Sequence, residues 1–265
     1  FSFAFGFKSV PPTGASRKGK TYHTSFTGSL GGNKWFVEGG YRRFKGFYDA
    51  YTSRRNSAFT DSTNYYHNAI LHEELKAKFW YFFKHNKFSY KSAYSCTYRQ
   101  LKTKGSWAVQ GNLYYNHLAA DSSLIPYNLK YYYGPYGDLR VFNVLAFSAG
   151  GGYSVNFVLR KKLFLNITAI AGLEYQWKDY YHFYGIHTRA RAISFTGDVR
   201  SSLGFNGKNF FMMFTSINDF SVFDNKKIQL VNKYLSQAFT IGYRFKVKTP
   251  KLYKRFQETK IYNML

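Results

Sequence analysis

Acidic residues are scarce in this chain of 265 residues: 13 Asp and Glu stand against 38 Lys and Arg, a formal charge of +25. Such an imbalance points to partners that carry negative charge, whether nucleic acid, phosphate-bearing lipid or acidic protein. Cysteine occurs once, at Cys96, which excludes an internal disulfide. Without a second thiol, or a His or carboxylate at ligand spacing, Cys96 reads as a small apolar residue on the outward parity of a strand, so no metal site is expected. Long hydrophobic runs are missing too. No stretch of about eighteen apolar residues exists, and the mean hydropathy of −0.40 excludes a bundle of transmembrane helices. No signal-peptide pattern opens the chain. It begins inside what reads as a strand, FSFAFGFKSV, which leads us to expect a processed or truncated chain rather than a cytosolic address.

Aromatic residues are abundant, with 28 Phe and 26 Tyr against only five Pro, a bias toward strands. The clearest strand is Leu163 to Trp177, LFLNITAIAGLEYQW. Leu163, Leu165, Ile167, Ala169, Ala171, Leu173, Tyr175 and Trp177 share one parity; Asn166, Thr168, Gly172, Glu174 and Gln176 share the other, interrupted by Phe164 and Ile170. Side chains alternate across a strand, so this segment has one apolar and one wet face. It exceeds the five or six residues, roughly, of a common globular strand, and matches the about 9–11 needed to cross a bilayer at a tilt, with Tyr175 and Trp177 placed as interfacial aromatics. A long strand of a soluble sandwich is the competing reading.

Along the chain the same pattern recurs. Phe1 to Phe7 alternate before a loop at PPTGASRKGK; Tyr22 to Leu30 and Trp35 to Tyr41 flank a GGNK turn; Leu75 to Phe83 precede a KHNK turn. Phe88, Tyr90, Tyr94 and Tyr98 read as a further strand, followed by Trp107 to Tyr115 and a weak strand at Tyr127 to Tyr133. Leu145 to Leu159, the RKK turn, Leu163 to Trp177, Phe195 to Phe205, an NGK turn, FFMMFTSI and Phe239 to Phe245 complete the series. Long polar loops are expected near 49–72, 178–190 and 219–233, with a possible insertion at 118–140. The expected fold is all-β, an antiparallel up-and-down transmembrane β-barrel of about twelve strands, or about 12–14 if strands precede Phe1. Closure removes the exposed edges that so many aromatic strands would otherwise present. The barrel domain is expected over 1–248 and a basic periplasmic tail over 249–265.

The runs PPTGASRKGKTYHTSF, WFVEGGYRRFKGFY, YFFKHNKFSYKSAYS, QLKTKGSW and GGGYSVNFVLRKKLFLNITAIAG together resemble a family of Bacteroidota outer-membrane proteins described only as a domain of unknown function. The succession of KGKT, KGFY and NKFSY in order carries most of the resemblance, which spans most of the chain. It implies a β-barrel in the outer membrane of a Gram-negative bacterium, with further strands ahead of Phe1. It implies no activity.

Parity assigns the charges. Arg42, Lys76, Lys78, Lys91, Lys130, Arg200 and Arg244 are expected to line the lumen beside Glu38, Glu74, Glu174 and Asp198, and Gln110, Asn166 and Thr168 to face inward with them. Leu165, Ile167, Ala169, Phe157 and Tyr94 are expected to face lipid. Other cations lie in turns, where they would meet lipid phosphates, including those of lipopolysaccharide. No nucleic-acid-binding module is visible, and strict aromatic alternation fits lipid contact better than nucleic acid.

The seven histidines lack a neighbouring nucleophile motif, Glu73 and Glu74 point to opposite faces, and Gly150 to Gly152 lack the helix and lysine of a phosphate cradle. No catalytic residue, enzyme activity or cofactor is therefore expected. Two functions remain open: a scaffold or accessory subunit of a larger outer-membrane assembly, docking protein partners, and a porin-like pore for small anionic solutes. Inward Phe36, Phe44, Trp80, Phe82 and Tyr132 argue for a partly filled interior. In the tail, Leu252, Phe256, Ile261, Tyr262 and Leu265 are too many exposed apolar groups for a solvated segment and are expected to dock against a partner or the barrel mouth.

Overall fold

The computed structural model describes residues 2–13, 21–48, 66–125, 130–225, 228–245, 255, 258 and 259. The described chain forms an antiparallel sheet in which neighbours in sequence are neighbours in space, curled into a half-barrel. The strands are β1 (Ser2–Thr13), β2 (Thr21–Gly31), β3 (Trp35–Tyr48), β4 (Tyr66–Phe82), β5 (Lys104–Ala119), β6 (Leu139–Leu159), β7 (Leu163–His182), β8 (His187–Asn206), β9 (Phe210–Asn225) and β10 (Ile228–Tyr243). One-turn helices α1 (Lys91–Tyr94) and α2 (Lys130–Tyr133) interrupt them.

The alternation of β7 persists through all 20 residues from Leu163 to His182. Leu165, Ile167 and Ala169 lie on the exposed convex face, whereas Asn166 and Thr168 are buried on the concave one. Phe164 and Ile170, which break the polar parity, turn inward to join apolar clusters. Pairing of β6 with β7 runs from Leu139↔His182 to Leu159↔Leu163. Where Gly150 pairs with Gly172, a Cβ on Gly150 would meet the Ala171 oxygen at 2.7 Å. Gly150 and Gly152 therefore permit close backbone approach on the concave side.

Ten described strands replace the expected twelve or so, for identifiable reasons. Phe88 to Tyr98 is no strand: residues 83–103 turn into the concavity around α1. Tyr90, Tyr94 and Tyr98 recur every fourth residue, a helical spacing that the aromatic content obscured. Tyr94 is thereby corrected from the outer face to the inside, where its ring stacks on Tyr90 at 4.4 Å and its hydroxyl donates to Asn166 Oδ1 at 2.8 Å. Cys96 is likewise inside, 1% exposed, with Sγ 3.6 Å from Met213 Sδ.

The weak strand at Tyr127 to Tyr133 is replaced at its C-terminal end by α2 and a 3₁₀ turn, Gly134–Tyr136; residues 126–129 lie outside the described set. Most of the supposed loop at 178–190 belongs to β7 and β8, and most of that at 219–233 to β9 and β10. At the end of β7, Lys178 and Asp179 put polar residues on both faces, which erases a hydrophobic period without ending the pairing. Of the loop placed at 49–72, residues from Tyr66 onward belong to β4 and 49–65 lie outside the described residues.

Inside, three layers are stacked. Near the β2–β3, β6–β7 and β8–β9 turns, hereafter the turn end, Phe36, Trp80, Phe82, Phe88, Tyr90 and Ile170 form one cluster. Near the opposite, loop end, Tyr114, Leu139, Phe142, Val144 and Tyr180 form another, over which Leu124 and Tyr136 fold. Charged residues occupy the middle. Burial pushes the Cys96 thiol up to about 11, and thiolate is the reactive form. Iodoacetamide at pH 8 should leave Cys96 unmodified in the folded protein and alkylate it fully in urea, as intact-mass measurement would reveal; fast native labelling would place the 83–103 segment outside the concavity.

Candidate functional site

The central layer is an ion network assembled from strands far apart in sequence. Its core is Asp198 on β8, which accepts from Arg200 Nε at 2.7 Å and from Gln110 Nε2 at 3.1 Å and also pairs with Lys78 of β4. Arg200 reaches across the concavity to Glu38 of β3, with Nη1 donating to Oε2 at 3.0 Å, and donates to the Tyr90 hydroxyl at 2.9 Å. Its guanidinium lies 4.6 Å from the Trp80 ring centre. Lys78 contacts Asp219 of β9 at 2.8 Å, and Lys76 pairs with the same carboxylate. Arg42 approaches Glu74 at 3.5 Å and stacks 3.6 Å over the Tyr234 ring of β10.

Four of the seven basic residues assigned to the lumen are thus brought together: Arg42, Lys76, Lys78 and Arg200. Each has a carboxylate partner, among Glu38, Glu74, Asp198 and Asp219. Charges this far from water are tolerable only when paired and hydrogen-bonded. A cavity of about 420 Å³ opens beside the network, lined in part by Gly40, Arg42, Lys76, Arg200 and Tyr234.

The other three basic residues sit elsewhere. Lys91 is buried, but on α1 rather than on a strand, and donates to the Gly31 carbonyl at the turn end. Lys130 lies on α2 at the loop end, paired with Asp138. Arg244 lies just beyond β10; it donates to the Gly207 carbonyl at 2.7 Å and to the Cys96 carbonyl, clasping the turn-end segment. Parity did not reveal these positions, because α1 and α2 are too short to announce themselves and Arg244 lies past the end of its strand.

Residues 83–103, missed as an element, act as a plug. Asn156 Nδ2 donates to the Ser89 carbonyl at 2.9 Å and Ser202 Oγ to that of Ala93 at 2.6 Å. Asn206 Nδ2 donates to the Ser92 and Tyr98 carbonyls at 3.0 and 2.9 Å. Inward Asn and Ser residues of β6 and β8 therefore satisfy the irregular plug backbone, as buried polar groups require. What these side chains bind was not readable from the sequence.

On the convex face, Leu165, Ile167 and Phe157 are exposed along with Leu113, Phe147, Leu173, Phe195 and Leu203. The tail residues Leu252, Phe256, Ile261, Tyr262 and Leu265 lie outside the described residues. The histidines are dispersed: His23 and His72 stack on Phe44, His117 meets Asn143 at 2.6 Å and His187 meets Asp179 at 2.9 Å.

Residues 1–245 match the family described as Domain of unknown function (DUF4421), and the chain belongs to that family. Among curated proteins no match is found.

The network makes a quantitative demand. Asp198→Asn should destabilise the fold by about 3–5 kcal/mol, because Lys78 and Arg200 stay buried with one carboxylate fewer. The exposed pair of Asp179 with Arg189 should be worth less than about 1 kcal/mol on the same substitution. Urea unfolding under one fixed condition compares the two; equal effects would show the network to be solvated.

Proposed function

We propose that this protein is a non-enzymatic integral β-barrel of the bacterial outer membrane, serving as a scaffold or accessory subunit of a larger assembly. The observation that carries the scaffold reading is the interior: its central cations are matched by carboxylates and its turn end is packed with the aromatic plug. The membrane reading is supported by the convex face, where exposed large apolar side chains recur on alternate residues over many strands. Soluble monomers seldom expose apolar patches beyond a few hundred Å², roughly. Aromatic pairs such as Trp107 with Tyr153, and Phe147 with Trp177, suit interfacial girdles.

Contacts across the concavity support closure. Arg42 of β3 stacks on Tyr234 of β10, so the two flanks of the curled sheet approach one another. On this reading β1 and β10 meet, or strands preceding Phe1 join them. Three of the four turn-end connections are three residues long, the plug being the fourth, and on this reading that end is periplasmic, where such barrels carry short turns. Residues 249–265 then emerge on the periplasmic side, where Leu252, Phe256, Ile261, Tyr262 and Leu265 would dock a protein partner.

A pore for small anionic solutes is the second reading, favoured by the cavity beside Arg42 and Lys76. Paired charge weakens it, because a lumen selects anions through cations left available to them. In planar bilayers the protein should give no steady conductance, and gentle extraction should bring companion proteins that are lost when residues after Pro250 are deleted. Steady chloride-selective channels from a protein that migrates alone would replace the scaffold with the pore.

A further inference from the structure

Outside the concavity, at the turn end, a cleft of about 600 Å³ lies between the start of the plug and strands β5 and β6. That volume falls in the range of small-molecule sites, roughly 300–1,000 Å³. Its walls divide by chemistry. Phe83, Tyr153 and Val155 supply an apolar side continuous with the convex face, and Lys84, Lys87 and Lys104 supply cations at its mouth.

The geometry is fixed by backbone. Phe83 N donates to the Trp107 carbonyl at 3.1 Å and Lys84 N to Ser106 Oγ at 2.9 Å, tying the plug entrance to β5. The following tight turn, with Lys87 N donating to the Lys84 carbonyl at 3.0 Å, holds two of the lysines together. Tyr153 lies flat over Gly105, where a Cβ would meet its ring within 2.6 Å, and packs edge-on to Trp107 at 5.2 Å. Residue 105 must therefore be small for the ring to form this wall.

The charge is one-sided. No Asp or Glu occurs between Phe83 and Trp107 or between Ala149 and Leu173, and among the described residues no carboxylate pairs with Lys84, Lys87 or Lys104. The four cations of the central network each have a carboxylate partner, so the contrast is with that layer. A cluster of lysines bordering an outward apolar wall is complementary to an amphiphile bearing a phosphate.

We propose that this cleft binds an anionic glycerophospholipid, its phosphate held by Lys84, Lys87 and Lys104 and an acyl chain laid along Phe83, Tyr153 and Val155. The site rests on the membrane reading above and adds to it a specific lipid contact on the plug.

The test uses the full chain in mild detergent, titrated with phosphatidylglycerol or phosphatidylcholine, bound lipid being counted by native mass spectrometry. Phosphatidylglycerol should bind one to one and phosphatidylcholine weakly. The triple variant K84Q/K87Q/K104Q should bind phosphatidylglycerol about a hundredfold more weakly, at about one decade or less per lysine. The turn variant R160Q/K161Q/K162Q, which removes equal charge outside the cleft, should bind like the wild type. Equal losses in both variants, or none in the first, would overturn the site.

Two further arms separate the alternatives. Displacement of the lipid by millimolar inorganic phosphate would assign the lysines to free phosphate, and displacement by polyglutamate to an acidic protein; either overturns the proposal. Failure of the wild-type protein to insert into vesicles of both compositions would remove the membrane reading itself, and the lipid site with it. Insertion without lipid preference would remove the site alone.

Discussion

The half-barrel depends on the pairing of Arg200 with Asp198 and Glu38. Arg200 and Glu38 are 162 residues apart, on strands separated by four others, and they meet only when the sheet curls. A flat sheet would leave those charges to water; the curled one brings them together and must then supply every partner. Gln110 and Tyr90 complete the set at hydrogen-bonding distance, and the Trp80 ring covers the guanidinium. Breaking such a network leaves a buried charge unmatched, a far larger penalty than loss of a surface pair. Curvature, inward polarity and register are therefore one constraint. A one-residue slip of β8 would carry Asp198 and Arg200 together to the convex face.

That constraint explains which parts of the structure were legible in the sequence. Strand β7 was readable from Leu163 to Trp177 because its exposed face is apolar there and its buried face largely polar, which imprints a period of two on its residues. Its continuation through Lys178 and Asp179 was not, since beyond the apolar belt both faces carry polar groups. The plug was unreadable for another reason. Phe88, Tyr90 and Tyr94 are as aromatic as any strand, yet the backbone carbonyls between them, of Ser89, Ala93 and Ser92, are satisfied by Asn156, Ser202 and Asn206, residues 67 to 114 positions away. No sequence period announces that polar side chains hold a segment rather than a solute; only the fold reports it. The same holds for Lys78 and Arg200, whose direction followed from parity while their neutralisation did not.

Separating matched from unmatched charge also locates the protein's basic excess. The central network contains as many carboxylates as cations, so its contribution to the net charge of +25 is small. At the turn end the balance is different: Lys34, Lys84, Lys87, Lys102 and Lys208 are exposed in segments without a single acidic residue. The β6–β7 turn makes the point at the level of backbone. Arg160 and Lys161 both adopt positive φ, 51° and 57°, a conformation that Asn and Gly enter far more readily. Turn geometry alone does not favour Arg-Lys-Lys there, so the charge of this turn is not explained by its backbone conformation.

The plug joins these two regimes. Its inner side packs Tyr90 against Trp80 and Phe82 beneath Arg200, and its outer side begins at Lys84 and Lys87. Arg99 extends the link, donating to the Asn206 carbonyl at 3.2 Å beside the β8–β9 turn, while Arg244 ties the end of β10 to Cys96. Movement of this segment would disturb the aromatic cluster, the ion network and the rim cations together, because it contacts all three. On the scaffold reading proposed above, contacts are made from the outside, by the charged, accessible rim. In this architecture the plug both occupies the concavity and fixes the position of the rim cations that would meet lipid or a neighbouring subunit.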